Sequence, residues 1–271
     1  MSLPTPAPDR TALVTGASSG IGREIARELA RRGHGLTLVA RSADKLAELA
    51  DELRGEAGRV EVLPTDLSDP AARAGLPERV EGLGLGVDVL VNNAGLSTFG
   101  PVDRSDPAAE LNLVEVDVAA VVDLTSRFLG AMVERGTGGV LNVASTAAFQ
   151  PLPGQAAYAA AKAFVLSYTR SLAGELRDTG VTVTALCPGP VRTGFGDAAG
   201  LGEGEAEAAL PSFLWEPVEA VARCGVDGLA SGHTVAIPGV ANRALAGLAH
   251  LTPKSLLVPL VAARHPGLRR P

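Results

Sequence analysis

Seven short runs rich in β-branched and aliphatic residues, each separated from the next by a helix-like stretch, constrain this chain more than any other feature. They are Thr11 to Thr15, Leu36 to Ala40, Arg59 to Leu63, Val87 to Val91, Gly139 to Ala144, Val181 to Cys187 and Thr234 to Ile237. Several are almost continuously apolar, as in Val87-Asp88-Val89-Leu90-Val91, which is the pattern of a strand covered on both faces. Strands of that kind alternating with helices predict an α/β protein with a doubly wound, seven-stranded parallel sheet joined by right-handed crossovers.

A chain of 271 residues, 46% of them hydrophobic, is long enough to enclose one large core, so residues 1–271 are expected to form a single domain. Its first helix carries Ile21, Ile25 and Leu29 on one face and Arg23, Arg27 and Arg31 on another, and is expected to end at Gly33. A long, mostly buried helix is expected from about Asp106 to Arg135, with Val114, Val118, Val121, Thr125, Phe128 and Met132 at three- and four-residue steps. Residues 1–9 read as a flexible, proline-rich tail. Residues 188–217 break the alternation, apart from a short helical piece at Glu205 to Leu210, and read as a substrate lid. Residues 238–271 read as a C-terminal helical extension interrupted at Pro253, Pro259 and Pro266.

The formal charge of -6 gives no basis for binding nucleic acid or anionic lipid. The two cysteines, Cys187 and Cys224, lie in no metal-type spacing, which fits a reduced, cytoplasmic protein without a metal. The first residues lack the basic and apolar regions of a signal peptide, and no apolar run approaches the roughly 20 residues that would span a bilayer.

Gly16-x-x-x-Gly20-x-Gly22, with Ser18, Ser19 and Ile21 inside it, lies between the first strand and the first helix. Glycines there let the backbone approach a pyrophosphate, and the helix start offers free N–H groups at a positive dipole end. An ordinary glycine-rich connection has the same appearance. Asn93, Ala94 and Gly95 follow the fourth strand, and Asp66 and Leu67 follow the third, at the strand ends where open parallel sheets bind ligands. Asx-turns would place the same residues there. After the second strand a carboxylate often binds a ribose 2′-hydroxyl, whereas this chain has Arg41, which would pair with a 2′-phosphate. The cofactor expected is therefore NADP(H) in preference to NAD(H).

Ser145, Tyr158 and Lys162 supply the groups that carbonyl reduction needs. The hydroxyl can hold the substrate oxygen while the phenol gives or takes the proton. An ammonium group one helical turn away favours the phenolate by its opposite charge.

Taken together, TGASSGIG at Thr15 to Gly22, NNAG at Asn92 to Gly95, Ser145, YAAAK at Tyr158 to Lys162 and PGPVRT at Pro188 to Thr193 resemble the short-chain dehydrogenase/reductase family, over about Arg10 to Ile237. The resemblance implies a Rossmann-type sheet of order 3-2-1-4-5-6-7 with helices on both faces, and hydride transfer between a nicotinamide and a carbonyl or alcohol carbon. It implies that Tyr158 is the general acid, that Ser145 orients the substrate oxygen, and that Lys162 holds the nicotinamide ribose and tunes Tyr158. It places Pro188, Gly189, Val191 and Thr193 along the nicotinamide, and implies a homodimer or homotetramer.

One position departs from the family pattern. Twenty-eight residues before the serine the family usually has an asparagine, at a disturbance of the long helix, and this chain has Asp117, with Asn112 out of register. A charged group near Lys162 is expected to preserve activity and alter its pH profile. Phe149, Pro151 and Leu152 beside the serine, with Phe195, Leu210, Phe213, Leu214 and Trp215 in the lid, suggest an apolar small-molecule carbonyl or alcohol of ketoacyl or steroid-like kind. The same side chains would serve to pin the loop to the core. A non-catalytic dinucleotide-binding sensor or subunit, and an epimerase or dehydratase, are the alternative functions.

Overall fold

All seven expected strands form, in a computed structural model that describes residues 3–193, 211–264 and 268. They make one parallel sheet in the order β3-β2-β1-β4-β5-β6-β7, the order implied by the family resemblance. The strands are β1 (Arg10–Thr15), β2 (Leu36–Ala40), β3 (Val60–Pro64), β4 (Gly86–Asn92), β5 (Gly138–Val143), β6 (Val181–Leu186) and β7 (Val235–Ala236). Their boundaries lie within one residue of the sequence expectation.

Alternate strand residues feed two cores. Ala12, Val14, Leu36, Leu38, Val89, Val91 and Leu141 pack under α1 (Gly20–Arg31), α2 (Ala43–Leu53) and a later helix, Val218–Ala230. Leu13, Val39, Leu90, Val140 and Val183 face the opposite way, toward the helices that cover the other side. These include α4 (Leu76–Gly82), which follows the short α3 (Pro70–Ala74), and α6 (Ala120–Arg135) and α7 (Ala156–Glu175). Both faces of the sheet are thus apolar, which explains the near-continuous hydrophobic runs in sequence. The first helix closes as expected, with Gly33 N–H on the Ala30 carbonyl and φ +83 at Gly33.

The long helix expected over Asp106 to Arg135 is instead interrupted. It begins as α5 (Pro107–Val114), capped by the Asp106 carboxylate on the Ala108 amide, passes through a π turn at Glu115–Ala119, and continues as α6. The π turn widens the helix by one residue per turn and re-aims the side chains on it. Asp117 lies in its middle.

The tail and the C-terminal extension differ from the sequence reading in detail. Residues 3–9, expected to be flexible, lie against the body: Leu3 packs on the core, Pro4 is buried and the Arg10 amide bonds to the Ala7 carbonyl. The helix Val218–Ala230 (α8) is followed by α9 (Val240–Leu251) and α10 (Lys254–Arg264). Pro253 separates the last two, but Pro259 sits inside α10 and does not end it. Lys254 at the start of α10 gives its ammonium to the Ala249 and Phe149 carbonyls. The predicted helix at Glu205 to Leu210, Phe195, and Pro266, Arg269 and Arg270 lie outside the described residues. Among the described residues no helix is long and apolar enough to cross a membrane.

Where α6 meets β5 and α7 meets β6, two left-handed glycines, Gly136 and Gly180, lie against each other. A methyl group at Gly180 would run into the Gly136 carbonyl, whereas one at Gly55 would meet nothing within 4 Å. Gly180→Ala is expected to lower unfolding stability by more than about 1 kcal/mol in urea titration, with Gly55→Ala close to neutral.

Candidate active site

Parallel strands all point their carboxyl ends to one edge of the sheet, and the expected site residues gather there. At the end of β1, Thr15 is buried, and its Oγ1 donates to the Val91 carbonyl at 3.0 Å while accepting the amides of Asn93 at 2.9 Å and Ala94 at 3.1 Å. Asn93 Nδ2 in turn donates to the Thr15 carbonyl at 2.9 Å. The glycine turn and the NNAG turn are therefore one hydrogen-bonded unit. Gly16 and Gly20 have φ +64 and +55, and a Cβ on Gly22 would strike the Asn93 side chain and the Gly16 carbonyl. No other residue fits Gly22.

At the start of α1, Ser19 is extended and makes no side-chain cap, and no acidic residue stands in the first turn. Its N–H groups are thus not satisfied by capping and no carboxylate opposes an anion, which fits a pyrophosphate. Ser18 and Ile21 are half-buried beside this turn. Arg41 is exposed just past β2. Asp66, past β3, is held below the usual carboxylate range by hydrogen bonds from the Ser68 amide and hydroxyl and by the Arg41 charge. Leu67 beside it is buried, and its carbonyl accepts from Arg73. Arg73 escaped the sequence reading; it is itself buried and also bonds Glu115 on the π turn and Asp123 on α6. An arginine in a short polar helix gives no signal of that role.

Pro188, Gly189, Val191 and Thr193 close over the same edge. The Pro188 carbonyl accepts the Thr146 amide at 2.8 Å, Val191 bridges to Glu216, and Thr193 faces Gly20. Gly189 lies against Asn242, which is buried and donates to the Leu214 carbonyl at 3.0 Å. Asn242 was also missed, although a lone asparagine on the inward face of an apolar helix is a recognisable sign of a backbone anchor.

The groups expected to react come from three elements. Ser145 ends the β5 crossover and caps the 3-10 turn Thr146–Phe149, its Oγ accepting the Ala147 amide at 3.1 Å. Its hydroxyl is hydrogen-bonded to the Tyr158 phenol. Tyr158 and Lys162 stand one turn apart near the start of α7, with the Lys162 Nζ 5.7 Å from the tyrosine ring centre. Burial pushes the Tyr158 phenol above the ordinary tyrosine range, while Lys162 and Ser145 pull the other way. The structure thus brings Ser145, Tyr158, Lys162 and Asp117 into one cluster, beside the glycine turn.

The matching family model, "short chain dehydrogenase", covers residues 10–203. The chain belongs to the short-chain dehydrogenase family. A short chain dehydrogenase of Pseudocercospora fijiensis is 38% identical over 72% of this chain and 66% of its own length, so the chain spans just under two thirds of that relative. A granaticin polyketide synthase protein of Streptomyces violaceoruber, named for ketoacyl reduction, is 40% identical over 67% of this chain and 68% of its own. A short-chain dehydrogenase from Sphingobium yanoikuyae, solved in complex with NADPH, superposes with a TM-score of 0.77 at 33% identity, covering 91% of this chain and 97% of that one. Family membership makes the chain an oxidoreductase of the CH–OH/C=O class.

Within this short-chain dehydrogenase the apolar residues expected around the substrate divide in two. Phe149 packs on a small buried cluster that includes Val165, Leu166 and Ala185, with the Arg170 guanidinium over its ring, and Leu214 is buried, so these two serve the fold. Phe213 is 66% exposed, and Trp215 lies 5.3 Å from the Arg192 guanidinium. Cys187 is buried and its thiol is pushed up to about 12 by that burial, which leaves it inert as a nucleophile. Among the described residues no cluster of three metal-ligating side chains occurs.

Thr15 decides whether the two turns stay joined. Thr15→Val would orphan the Asn93 and Ala94 amides, and thermal or urea unfolding is expected to show a loss of about 2–4 kcal/mol, with Thr15→Ser close to the parent.

Proposed function

We propose that this protein uses NADP(H) to reduce a ketone, or to oxidise the matching secondary alcohol, on an apolar small molecule of ketoacyl or steroid-like kind. The observation that carries the reading is the assembly of Ser145, Tyr158 and Lys162 at the carboxyl edge of the sheet, with the serine hydroxyl already bonded to the phenol.

The cofactor, when bound, supplies the hydride to the carbonyl carbon or takes it from the alcohol carbon. The chain's own residues do the rest. Gly16, Gly20 and Gly22 allow close approach of the pyrophosphate, with Ser18, Ser19 and Ile21 shaping the turn around it. Asp66 and Leu67 would hold the adenine end of the cofactor, Asn93, Ala94 and Gly95 its middle, and Pro188, Gly189, Val191 and Thr193 its nicotinamide end. Lys162 has three N–H donors; one faces Asp117 and one the Val143 carbonyl, leaving the third for a ribose hydroxyl. During reduction Tyr158 gives its proton to the carbonyl oxygen while Ser145 holds that oxygen, and the phenolate then recovers a proton from solvent.

The relative named for ketoacyl reduction and the exposed Phe213 beside Trp215 support an apolar ketone as substrate. The NADPH complex of the Sphingobium protein and the exposed Arg41 support the phosphorylated cofactor. On α5 and α7, Leu111 and Phe164 are exposed apolar residues, 70% and 40% respectively, and support a homodimer or homotetramer joined through these helices. The two unpaired cysteines support a reducing, cytoplasmic setting.

Tyr158→Phe is expected to lower kcat for a hydrophobic ketone by about 10²- to 10⁴-fold while leaving NADPH binding, read by fluorescence titration, near the parent value. Tight NADPH binding with no turnover on any ketone of a hydrophobic panel would instead establish a non-catalytic dinucleotide-binding role. Arg41→Asp is expected to reverse the cofactor preference, since a carboxylate there repels a 2′-phosphate and accepts a 2′-hydroxyl. The ratio of kcat/KM for NADPH and NADH, measured before and after the change, checks it; a parent that prefers NADH overturns the cofactor assignment.

A further inference from the structure

The π turn carries a carboxylate into the middle of the site. Asp117 is 1% exposed and Lys162 4% exposed, and Asp117 Oδ2 lies 2.9 Å from the Lys162 ammonium. The other oxygen, Oδ1, accepts the Leu96 amide at 2.7 Å. Gly95 seals the contact: a Cβ there would sit 3.0 Å from Asp117 Oδ2 and 3.1 Å from Lys162 Nζ. Lys162 donates further to the Val143 carbonyl at 3.1 Å and faces the Tyr158 ring.

We propose that Asp117 is a positioning and charge-balancing residue, which fixes Lys162 and offsets its positive field at the Tyr158 phenol, so that the site favours giving a proton to a carbonyl over taking one from an alcohol. The proposal rests on the reading of Tyr158 as the proton-transfer group. A neutral amide at position 117 would accept the same Leu96 hydrogen bond but add no charge, leaving the full ammonium field to draw the phenol toward phenolate. With the carboxylate present, part of that field at the phenol is offset.

Among the described residues, the groups facing this pair are few. Tyr158 faces it from α7 and Cys187 from the end of β6, with the Cys187 thiol neutral because of its burial. The segment after β4 contributes the Leu96 amide, and the end of β5 contributes the Val143 carbonyl. Glu115, also on the π turn, is turned away and paired with Arg73 from α3. Burial raises the Asp117 carboxyl above its ordinary range, while the Lys162 charge and the Leu96 amide pull it back toward the carboxylate. Burial raises the Tyr158 phenol, Lys162 lowers it, and Asp117 adds to the rise. Burial pulls the Lys162 ammonium down, but the Asp117 and Tyr158 charges outweigh it and hold it above the ordinary lysine range. Removing the Asp117 charge moves both groups to lower pH.

The chain has two tyrosines, so a Tyr168→Phe background leaves Tyr158 as the only phenol to titrate by absorbance. In that background Asp117→Asn is expected to move tyrosinate formation to lower pH, without substrate or cofactor present. The same change is expected to move the acid limb of the kcat/KM profile for alcohol oxidation to lower pH, with a gain of about tenfold at pH 7. An unchanged titration, or one moved to higher pH, overturns the proposal. Should Asp117→Asn fail to fold, Asp117→Ser in the Tyr168→Phe background removes the same charge: tyrosinate formation moved to lower pH supports the proposal, and an unchanged titration overturns it. A shifted titration in a chain that turns over no ketone supports the charge balance while rejecting the reductase reading, so the two failures are told apart.

Discussion

Everything at this site depends on burying the Lys162 ammonium without a net cost that would expel it. A charge that deep needs polar partners at contact distance. Here it is met by the Asp117 carboxylate and the Val143 carbonyl, and the carboxylate is met by the Leu96 amide. Each of these groups comes from a different part of the chain: a helix, a π turn, a strand end and the turn after another strand. The pair therefore ties the loops of the catalytic edge to one another. The arrangement is therefore structural as well as chemical.

The rest of the edge follows from the sheet. Parallel pairing puts the ends of β1, β4, β5 and β6 side by side, and each of those ends contributes a functional segment. Thr15 joins the first two of these segments, and the bond from the Thr146 amide to the Pro188 carbonyl joins the last two. Hydrogen bonds between neighbouring strand ends replace the helix caps that would otherwise hold each loop alone. That is why the start of α1 remains without a side-chain cap and open to an anion.

Most of this was legible in the sequence, for identifiable reasons. Strands buried on both faces announce themselves as apolar runs, and Gly22 and Gly16 mark a backbone contact that tolerates no side chain. What sequence periodicity could not show is the π turn. Val114, Val118, Val121, Thr125, Phe128 and Met132 keep helical spacing in sequence, but the extra residue moves the buried stripe before it to Leu113, Val116 and Asp117 and leaves Val114 exposed. Arg73 was invisible for a different cause: its carboxylate partners, Glu115 and Asp123, lie far along the chain, and no local pattern encodes such a contact.

Asp117 shows how a near-isosteric change can leave a fold intact and still alter its chemistry. Asparagine and aspartate have the same shape, and either accepts the Leu96 amide, so the backbone at the π turn has no reason to move. The difference lies in charge alone, and burial amplifies it because few other groups screen the pair. In a proton-transfer site the useful quantity is the balance of fields at the transferring oxygen. Lys162 supplies one sign and Asp117 the other, at contact distance from each other, with the Lys162 ammonium 5.7 Å from the centre of the Tyr158 ring. A site built this way holds its tyrosine toward the protonated form, the form that can give a proton to a carbonyl oxygen.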